Sequence, residues 1–423
     1  KVEKIWKDWE AFAAYAFNKS HSTCYSYVAF QTAYLKANYP EEYMASVLTH
    51  HMNDLSKLSY YMDECKRMGI KVLGPDLNES FINYSVNKSN DIRFGLGAIK
   101  GVGSIAAESI INERTSMGSY ISFMEFIKRI EARVVNKRVL ESLALGGAFD
   151  TFKVNRANFF KQDGQQIFIE KIIQFRAKYN KNNQDNAQLG MFDESVLSSM
   201  NKEPILSHTE SWNKFDLLSK EKSVLGIYVS GHPLDDYAFE VKNLCTHQIN
   251  DIDSFNKPII DFSFAGYLTS HTERMSKNNK PYGVFFLEDY SGTKEFRLFG
   301  DEYIKFRNYF VSGSLLYFSA SIIFKKWNNK LELKINGITA LSDVSDKVMK
   351  EIKFRLHISD IDSNLIKSIE EIVKKYPGKH KLKLNIFDSD VALDFQSKKY
   401  YVKICHDLVN EMSEHVSRQY VLI

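Results

Sequence analysis

Near Pro258 the spacing of apolar residues changes from a helical to an alternating period, and that change limits what each half of the chain can become. Upstream, apolar side chains recur at helical intervals: Tyr27, Phe30, Tyr34 and Leu35, then Val139, Leu140, Leu143 and Leu145. None of the seven prolines lies between Pro75 and Pro204, so nothing there forces a helix to stop. Pro40-Glu41-Glu42 reads as a helix start, with proline in the first turn and acids at the positive dipole end. Gly69 reads as the end of a helix around Leu58 to Arg67, and Lys71 to Asp76 as a short strand and turn. Residues 150–178 are expected to continue as helix through Phe159, Phe160, Ile167, Ile169, Ile172 and Ile173. Downstream, Phe262–Leu268, Val284–Leu287, Phe296–Leu298, Leu315–Ser319 and Leu331–Ile335 alternate as five strands, with a helical stretch at Glu302–Phe310 between the third and fourth. That order predicts an oligonucleotide/oligosaccharide-binding (OB) barrel. From about Ser345 a smaller α/β unit is expected: strands at Lys353–Ile358 and Lys381–Phe387, a helix at Leu365–Lys375 and a last helix at Ile404–His415. The fold class is therefore multidomain, mostly α in the first half, then a five-stranded barrel, then a small α/β domain.

A chain of 423 residues exceeds one ordinary core. No run of about 18 apolar residues is present, and Lys1-Val2-Glu3-Lys4 has no signal-like apolar region, so no membrane partner is expected. The first residue is not Met, which suggests a piece of something longer. Cys24, Cys65, Cys245 and Cys405 lie far apart, without metal spacing, and read as reduced thiols of a cytoplasmic protein. A net charge of +4 is small for this length, so a case for nucleic acid must rest on local placement.

Gly95-Leu96-Gly97-Ala98-Ile99-Lys100-Gly101-Val102-Gly103-Ser104 leads into a helix at Ile105–Glu113 and has helix-hairpin-helix spacing. Glycines in such a turn let backbone N–H groups approach a DNA phosphate without reading sequence. A degraded second copy is expected from Asn136-Lys137-Arg138-Val139-Leu140 through Leu145-Gly146-Gly147-Ala148-Phe149. Between Arg93 and Arg138 eight Lys/Arg face four Glu, an excess of +4 (8 − 4). Lys100, Gly101, Gly103, Lys137 and Arg138 are the duplex candidates; the competing reading is that the glycines only cap packed helices. Within the barrel segment, Tyr267, Tyr282, Phe296 and Trp327 are candidates for base stacking, with Arg274, Lys277 and Arg297 among those for the backbone. A protein-docking barrel is the alternative there. Phe17-Asn18-Lys19-Ser20-His21-Ser22 could hold nucleotide phosphates through Lys19 and His21, or be an ordinary serine cap. Asp251/Asp253 and Asp360/Asp362 read as loop or cap acids, and no metal-ligand set is expected in this chain.

Gln188-Leu189-Gly190-Met191-Phe192 sits in the polar run Lys178–Glu194. A solvated linker gains nothing by exposing Leu, Met and Phe together, so unless they dock back on their own chain they are expected to fill a partner's pocket. Burial of Leu189, Met191 and Phe192 would contribute about 4–7 kcal/mol before ordering costs.

These blocks, with Gln31-Thr32-Ala33-Tyr34-Leu35-Lys36-Ala37-Asn38-Tyr39-Pro40-Glu41-Glu42-Tyr43-Met44 and Leu225-Gly226-Ile227-Tyr228-Val229-Ser230-Gly231-His232-Pro233-Leu234, resemble the bacterial replicative DNA polymerase III alpha subunit, in the same order and over essentially the whole chain. The resemblance implies the end of the polymerase fingers at 1–80 and a tandem helix-hairpin-helix region at 81–177. A linker with the sliding-clamp motif at 178–205, a connecting helical segment at 206–257, the OB domain at 258–342 and a small α/β tail at 343–423 complete the division. It implies a DNA-directed DNA polymerase (a nucleotidyltransferase) as parent, with Mg²⁺ there but no cofactor in this chain. The palm aspartates would lie elsewhere, leaving no catalytic residue here and this piece inactive alone. Implied partners are primed double-stranded DNA, single-stranded template, the beta sliding clamp, and the clamp-loader tau and proofreading subunits. Two other readings stand beside it: a non-catalytic adaptor joining DNA to a clamp, and an RNA-binding OB protein with unrelated helices.

Overall fold

The computed structural model describes residues 1–15, 19–189, 203–206, 208–276, 278–325, 330–389, 391–416 and 420–422. They form two compact units, Lys1–Gly231 and His232–Ile423, so the unit boundary falls inside the segment expected to connect domains.

The first unit is mostly helical. Helices α1 (Val2–Tyr15), α2 (Lys19–Asn38), α3 (Pro40–His50) and α4 (Leu55–Arg67) open it, with Pro40 in the first turn of α3 and Asp54 capping α4 through the Lys57 N–H. Gly69 takes a left-handed φ of 76° just past α4, as expected. A three-stranded sheet in the order β1-β3-β2 follows, from Val72–Leu73 (β1), Ser85–Val86 (β2) and Ile92–Arg93 (β3). Next come α5 (Ser104–Met117), α6 (Phe123–Arg129), α7 (Lys137–Gly146), the single turn α8 (Arg156–Phe159), α9 (Phe168–Leu189) and α10 (Lys214–Leu225). One apolar cluster joins these pieces, with Phe94, Ile110, Phe126, Leu143, Phe149, Phe159 and Ile172 fully buried.

Two sequence expectations change here. Residues 150–178 are not one helix: a 3₁₀ turn, α8 and a hairpin of β4 (Gln162–Asp163) and β5 (Gln166–Ile167) precede α9. The apolar run that suggested a helix is apolar because it packs beneath Phe123 and Phe149, whatever its local form. The polar run from Lys178, expected to be a linker, is instead helical through Leu189. It contains no proline or glycine before Gly190, so an α9 anchored by Ile169, Ile172 and Phe175 can propagate into it.

In the second unit, β6 (Ile259–Met275), β7 (Pro281–Asp289), β8 (Gly292–Phe299), β9 (Leu315–Lys325) and β10 (Lys330–Ala340) form one five-stranded sheet in the order β10-β9-β6-β7-β8. Alternation puts Phe264, Leu268, Phe285, Leu287, Phe296 and Phe318 on its inner face. Helix α12 (Gly300–Phe306) lies between the third and fourth strands; α11 (Ala238–Leu244) precedes the sheet. Gly283 makes room for α12, since a Cβ there would sit 2.4 Å from the Tyr303 ring. The expected closed barrel is not what forms: the sheet is open, and among the described pairings β8 and β10 remain its edges. Alternation reports which faces are buried but not whether the outer strands meet, which is why sequence could not distinguish the two. A cavity of about 360 Å³ lies along this seam, lined by Phe296, Leu298, Leu331, Leu333 and Ile335.

A four-stranded sheet ends the chain, ordered β13-β12-β11-β14, from Glu351–His357 (β11), Pro377–Phe387 (β12), Ala392–Val402 (β13) and Tyr420–Leu422 (β14). Helix α13 (Leu341–Val348) precedes it; α14 (Ser363–Lys375) and α15 (His406–His415) contribute to its core with Ile352, Phe354 and Leu356. β13 had no expectation, because Asp394, Gln396 and two lysines interrupt its apolar pattern.

Candidate nucleic-acid interface

The glycine cluster forms a tight turn rather than a nucleotide loop. A 3₁₀ turn at Leu96–Ala98 runs through Ile99 and Lys100 into Gly101, whose φ is 93°, and Gly103 is the N-cap of α5. Ile99 and Val102 are buried beneath the turn, whereas Lys100, Gly103 and Ser104 are exposed. The Lys100 N–H donates to the Val224 carbonyl at 2.8 Å, tying the turn to the end of α10. The N-terminus of α5 and its orphan N–H groups therefore face solvent beside a lysine.

The second turn differs from the expected copy. Residues 136–149 hold α7 and its C-terminal cap, Gly147 (φ 87°), while the connection between α6 and α7 is the glycine-free turn Ile130–Asn136. Asn136 caps α7 through the Val139 N–H. The first turn meets α7 at a single glycine. A Cβ on Gly101 would lie 2.7 Å from Ser142 Oγ and 3.3 Å from Arg138 Nε. Arg138 of the second motif thus lies over the turn of the first, and Lys100, Gly101, Gly103 and Arg138 share one surface. Lys137 is committed elsewhere: its ammonium donates to Glu170 Oε1 at 2.6 Å, which raises its pKa, and Glu141 lies at 3.8 Å. Arg176 is the residue that sequence reasoning missed. It is 3% exposed, and its Nη2 donates to the carbonyls of Val135 (2.8 Å) and Ala132 (3.4 Å) in the second turn.

On the open sheet, register places Arg274 opposite Tyr282 and Tyr282 opposite Phe299, with Thr272, Val284 and Arg297 in the next row. The Tyr282 and Phe299 rings stack at 5.2 Å. Arg274, Tyr282 and Arg297 therefore share the outer face of β6, β7 and β8, although Arg297 Nε also donates to Glu295 at 2.6 Å. Exposed Phe299 belongs to this face and was not expected; it follows an alternating strand, the one signal that could have found it. Phe296 points the other way and is buried against Phe264, so it cannot stack on a base. Tyr267 sits at the far end of the outer face, half-buried and paired with Leu315. Lys277 and Trp327 lie outside the described residues.

Lys19 and His21 are exposed on α2, which buries no residue; His21 packs edge-on to Tyr25 at 4.3 Å. Gln188 and Leu189 form the end of the α9 backbone, and Met191 and Phe192 lie outside the described residues. Asp251 belongs to a capping box with Gln248, and Asp362 caps α14. Among the described residues no three His, Cys, Asp or Glu side chains converge as a metal site. Nor, among them, is any helix long and apolar enough to cross a membrane.

A family model described as a helix-hairpin-helix motif matches residues 69–159, and one described as the DNA polymerase III alpha subunit, C-terminal domain, matches residues 352–422. The DNA polymerase III subunit alpha of Borreliella burgdorferi is 33% identical over 383 residues, covering 89% of this chain and 32% of that protein. The chain belongs to the DNA polymerase III alpha family, as a C-terminal portion. The alpha subunits of Pasteurella multocida and Escherichia coli K12 are each 29% identical, over 375 and 374 residues, and cover 89% and 88% of this chain. The chain spans 32% of the length of these alpha relatives. Among solved structures, the second OB-fold domain of replication protein A from Methanococcus maripaludis matches 20% of the chain at 16% identity, with a TM-score of 0.14, too low to carry an argument.

Proposed function

We propose that this chain is the DNA- and partner-binding portion of a replicative DNA polymerase, gripping primed duplex through its paired turns. The observation that carries the reading is the packing of Arg138 over the Gly101 turn, which gathers backbone N–H groups, Lys100 and a guanidinium on one surface. Such a surface suits phosphate oxygens and ignores bases. Lys100→Glu with Arg138→Glu should weaken duplex binding and reduce the slope of log K against log salt by about 0.9 for each phosphate no longer neutralised. An unchanged slope would remove the assignment.

The strand order of the five-stranded sheet supports an OB reading, since it is the OB order with the last pairing unmade. The outer face of its second and third strands is where such folds take single strands, and Arg274, Tyr282, Arg297 and Phe299 are assigned to template there. Gln188, Leu189, Met191 and Phe192 are assigned to the beta clamp; Gln188→Ala with Phe192→Ala should abolish clamp capture. The tail at 343–423 is assigned to the tau subunit, and contact with a proofreading subunit belongs to the assembled polymerase. Lys19 and His21 are assigned to nucleotide phosphates in the whole enzyme, where Lys19→Ala should raise the nucleotide KM or lower kcat. DNA synthesis, its Mg²⁺ and a cytoplasmic location are proposed for the parent, and this portion alone should not extend a primer.

A further inference from the structure

Arg176 is a buried cation without a carboxylate. The residue is 3% exposed, its Nη2 serves two carbonyls of the Ile130–Asn136 turn, and its Nη1 is buried without a hydrogen-bond partner. Among the described residues no acid pairs with it, and burial alone pushes its pKa down. A guanidinium in this position raises the local potential and weakens the seating of the helix that carries it. The turn it underlies opens into α7, ten residues long, where Asn136 caps the Val139 N–H, the two N–H groups before it have no acceptor within the helix, and the N-terminus carries a partial positive charge. Lys137, the obvious side chain for an anion here, is already held by Glu170 on α9. Two separate features of the second turn therefore lack an anion, and α9 supplies both the unneutralised charge and the acid that occupies the lysine.

We propose that Arg176 is a positioning residue linking phosphate binding at the Ile130–Asn136 turn to the seating of α9. This rests on the duplex-binding reading above. A backbone phosphate at the N-terminus of α7 offsets the charge of Arg176 through the turn, so bound DNA holds α9 more firmly. Duplex binding then firms α9 over its described length, which runs to Leu189. By linkage, anything that holds α9 in place strengthens the grip on DNA by the same factor.

The test is hydrogen exchange across residues 168–180 of the whole chain, with and without a short duplex at low salt. In the wild type, saturating duplex should slow exchange in α9 by roughly fivefold or more, the lower end of ordinary coupling between sites. Arg176→Met should bind duplex more weakly and lose the DNA-dependent slowing, while Arg176→Lys, which keeps the charge, should retain most of it. A purely structural arginine would loosen α9 equally in both states. Wild-type exchange in α9 that ignores bound duplex overturns the proposal, as does a Met variant that responds like the wild type. Should the Met variant fail to fold, the wild-type response and the Lys comparison decide. A wild type that binds no duplex at all defeats the duplex-binding reading first and separately.

Discussion

Arg156 and Glu221 are ion-paired inside the first unit, with Arg156 Nη1 donating to Glu221 Oε2 at 3.0 Å. Glu221, 1% exposed, also accepts the N–H groups of Val229 and Ser230 through Oε1. Arg156 reaches in the other direction to Asp150 at 2.6 Å. One buried carboxylate thus binds α8, α10 and the backbone that follows Gly226. Arg156 would keep Asp150, but the N–H groups of Val229 and Ser230 would lose their acceptor, so Glu221→Ala should cost about 1–3 kcal/mol for each donor left unmet. The measurement is the urea midpoint of the first unit's transition, and a shift equal to that of an exposed control such as Glu108→Ala would contradict it.

Gly101→Ala should be destabilising for two reasons. Its φ of 93° is left-handed, a region costing a non-glycine residue about 1–3 kcal/mol. The added Cβ would also press on Ser142 Oγ, 2.7 Å away. Adding Ser142→Ala should recover part of the loss by removing the Oγ and leaving the strain, while keeping a good helix former inside α7. Thermal unfolding of the three variants separates the two contributions, and complete recovery would mean that backbone strain plays no part.

Tyr282→Ala should weaken binding of a single-stranded oligonucleotide by about 1–3 kcal/mol, the usual worth of one base stacked on an aromatic ring. Tyr282 shares its ring contact with exposed Phe299, so the double variant should lose less than the sum of the singles. Fluorescence anisotropy with single-stranded and duplex probes makes the check. Equal losses on both probes would point to misfolding rather than stacking.

How much of this was legible beforehand depended on how local the physics is. Pro40 opening α3, Gly69 closing α4 and the alternation of Phe262, Phe264 and Leu268 are local, and each held. So did the order of strands and the helix between the third and fourth. Long-range pairings left no mark on the sequence. Nothing near Lys137 announces Glu170, and nothing near Arg176 announces the carbonyls of Ala132 and Val135. The α9 extension was missed because Asn- and Lys-rich runs look solvated; an anchored helix can continue through them until a breaker intervenes. Phe296 and Phe299 lie three residues apart on one strand and so on opposite faces, which the alternation already implies once the strand is carried through to Phe299.

Glu370 gives the C-terminal sheet a pH dependence. The hydrogen bond from the Tyr400 hydroxyl, then that from Lys374, holds its carboxyl down to about 2, below the ordinary 4.5. A carboxyl depressed by folding stabilises above its unfolded value, and that contribution is lost as pH falls from about 4.5 toward about 2. Acid titration of the second unit, followed by near-UV circular dichroism, should therefore be less steep in this window for Glu370→Gln. High salt should shrink the difference, because the site is exposed. Superimposable curves would show that the Tyr400–Glu370 hydrogen bond does not survive in solution.

Thiol reactivity tests the packing of both units in one experiment. Cys24 is exposed on α2, whereas Cys65 is fully buried on α4. Burial pushes the Cys65 thiol up to about 11, and burial followed by the Asp289 charge pushes Cys245 up to about 12. Only the thiolate attacks an alkylating reagent, so at pH 8 Cys24 should react before half-buried Cys245, and Cys65 only through opening of the fold. A raised thiol pKa also means that the unfolded chain loses its proton first. Stability contributed by Cys65 should therefore fall as pH rises from about 9 through about 11. Mass spectrometry after timed iodoacetamide exposure reads the order. Cys65 labelling as fast as Cys24 without denaturant would mean that α4 is not seated on the core as described.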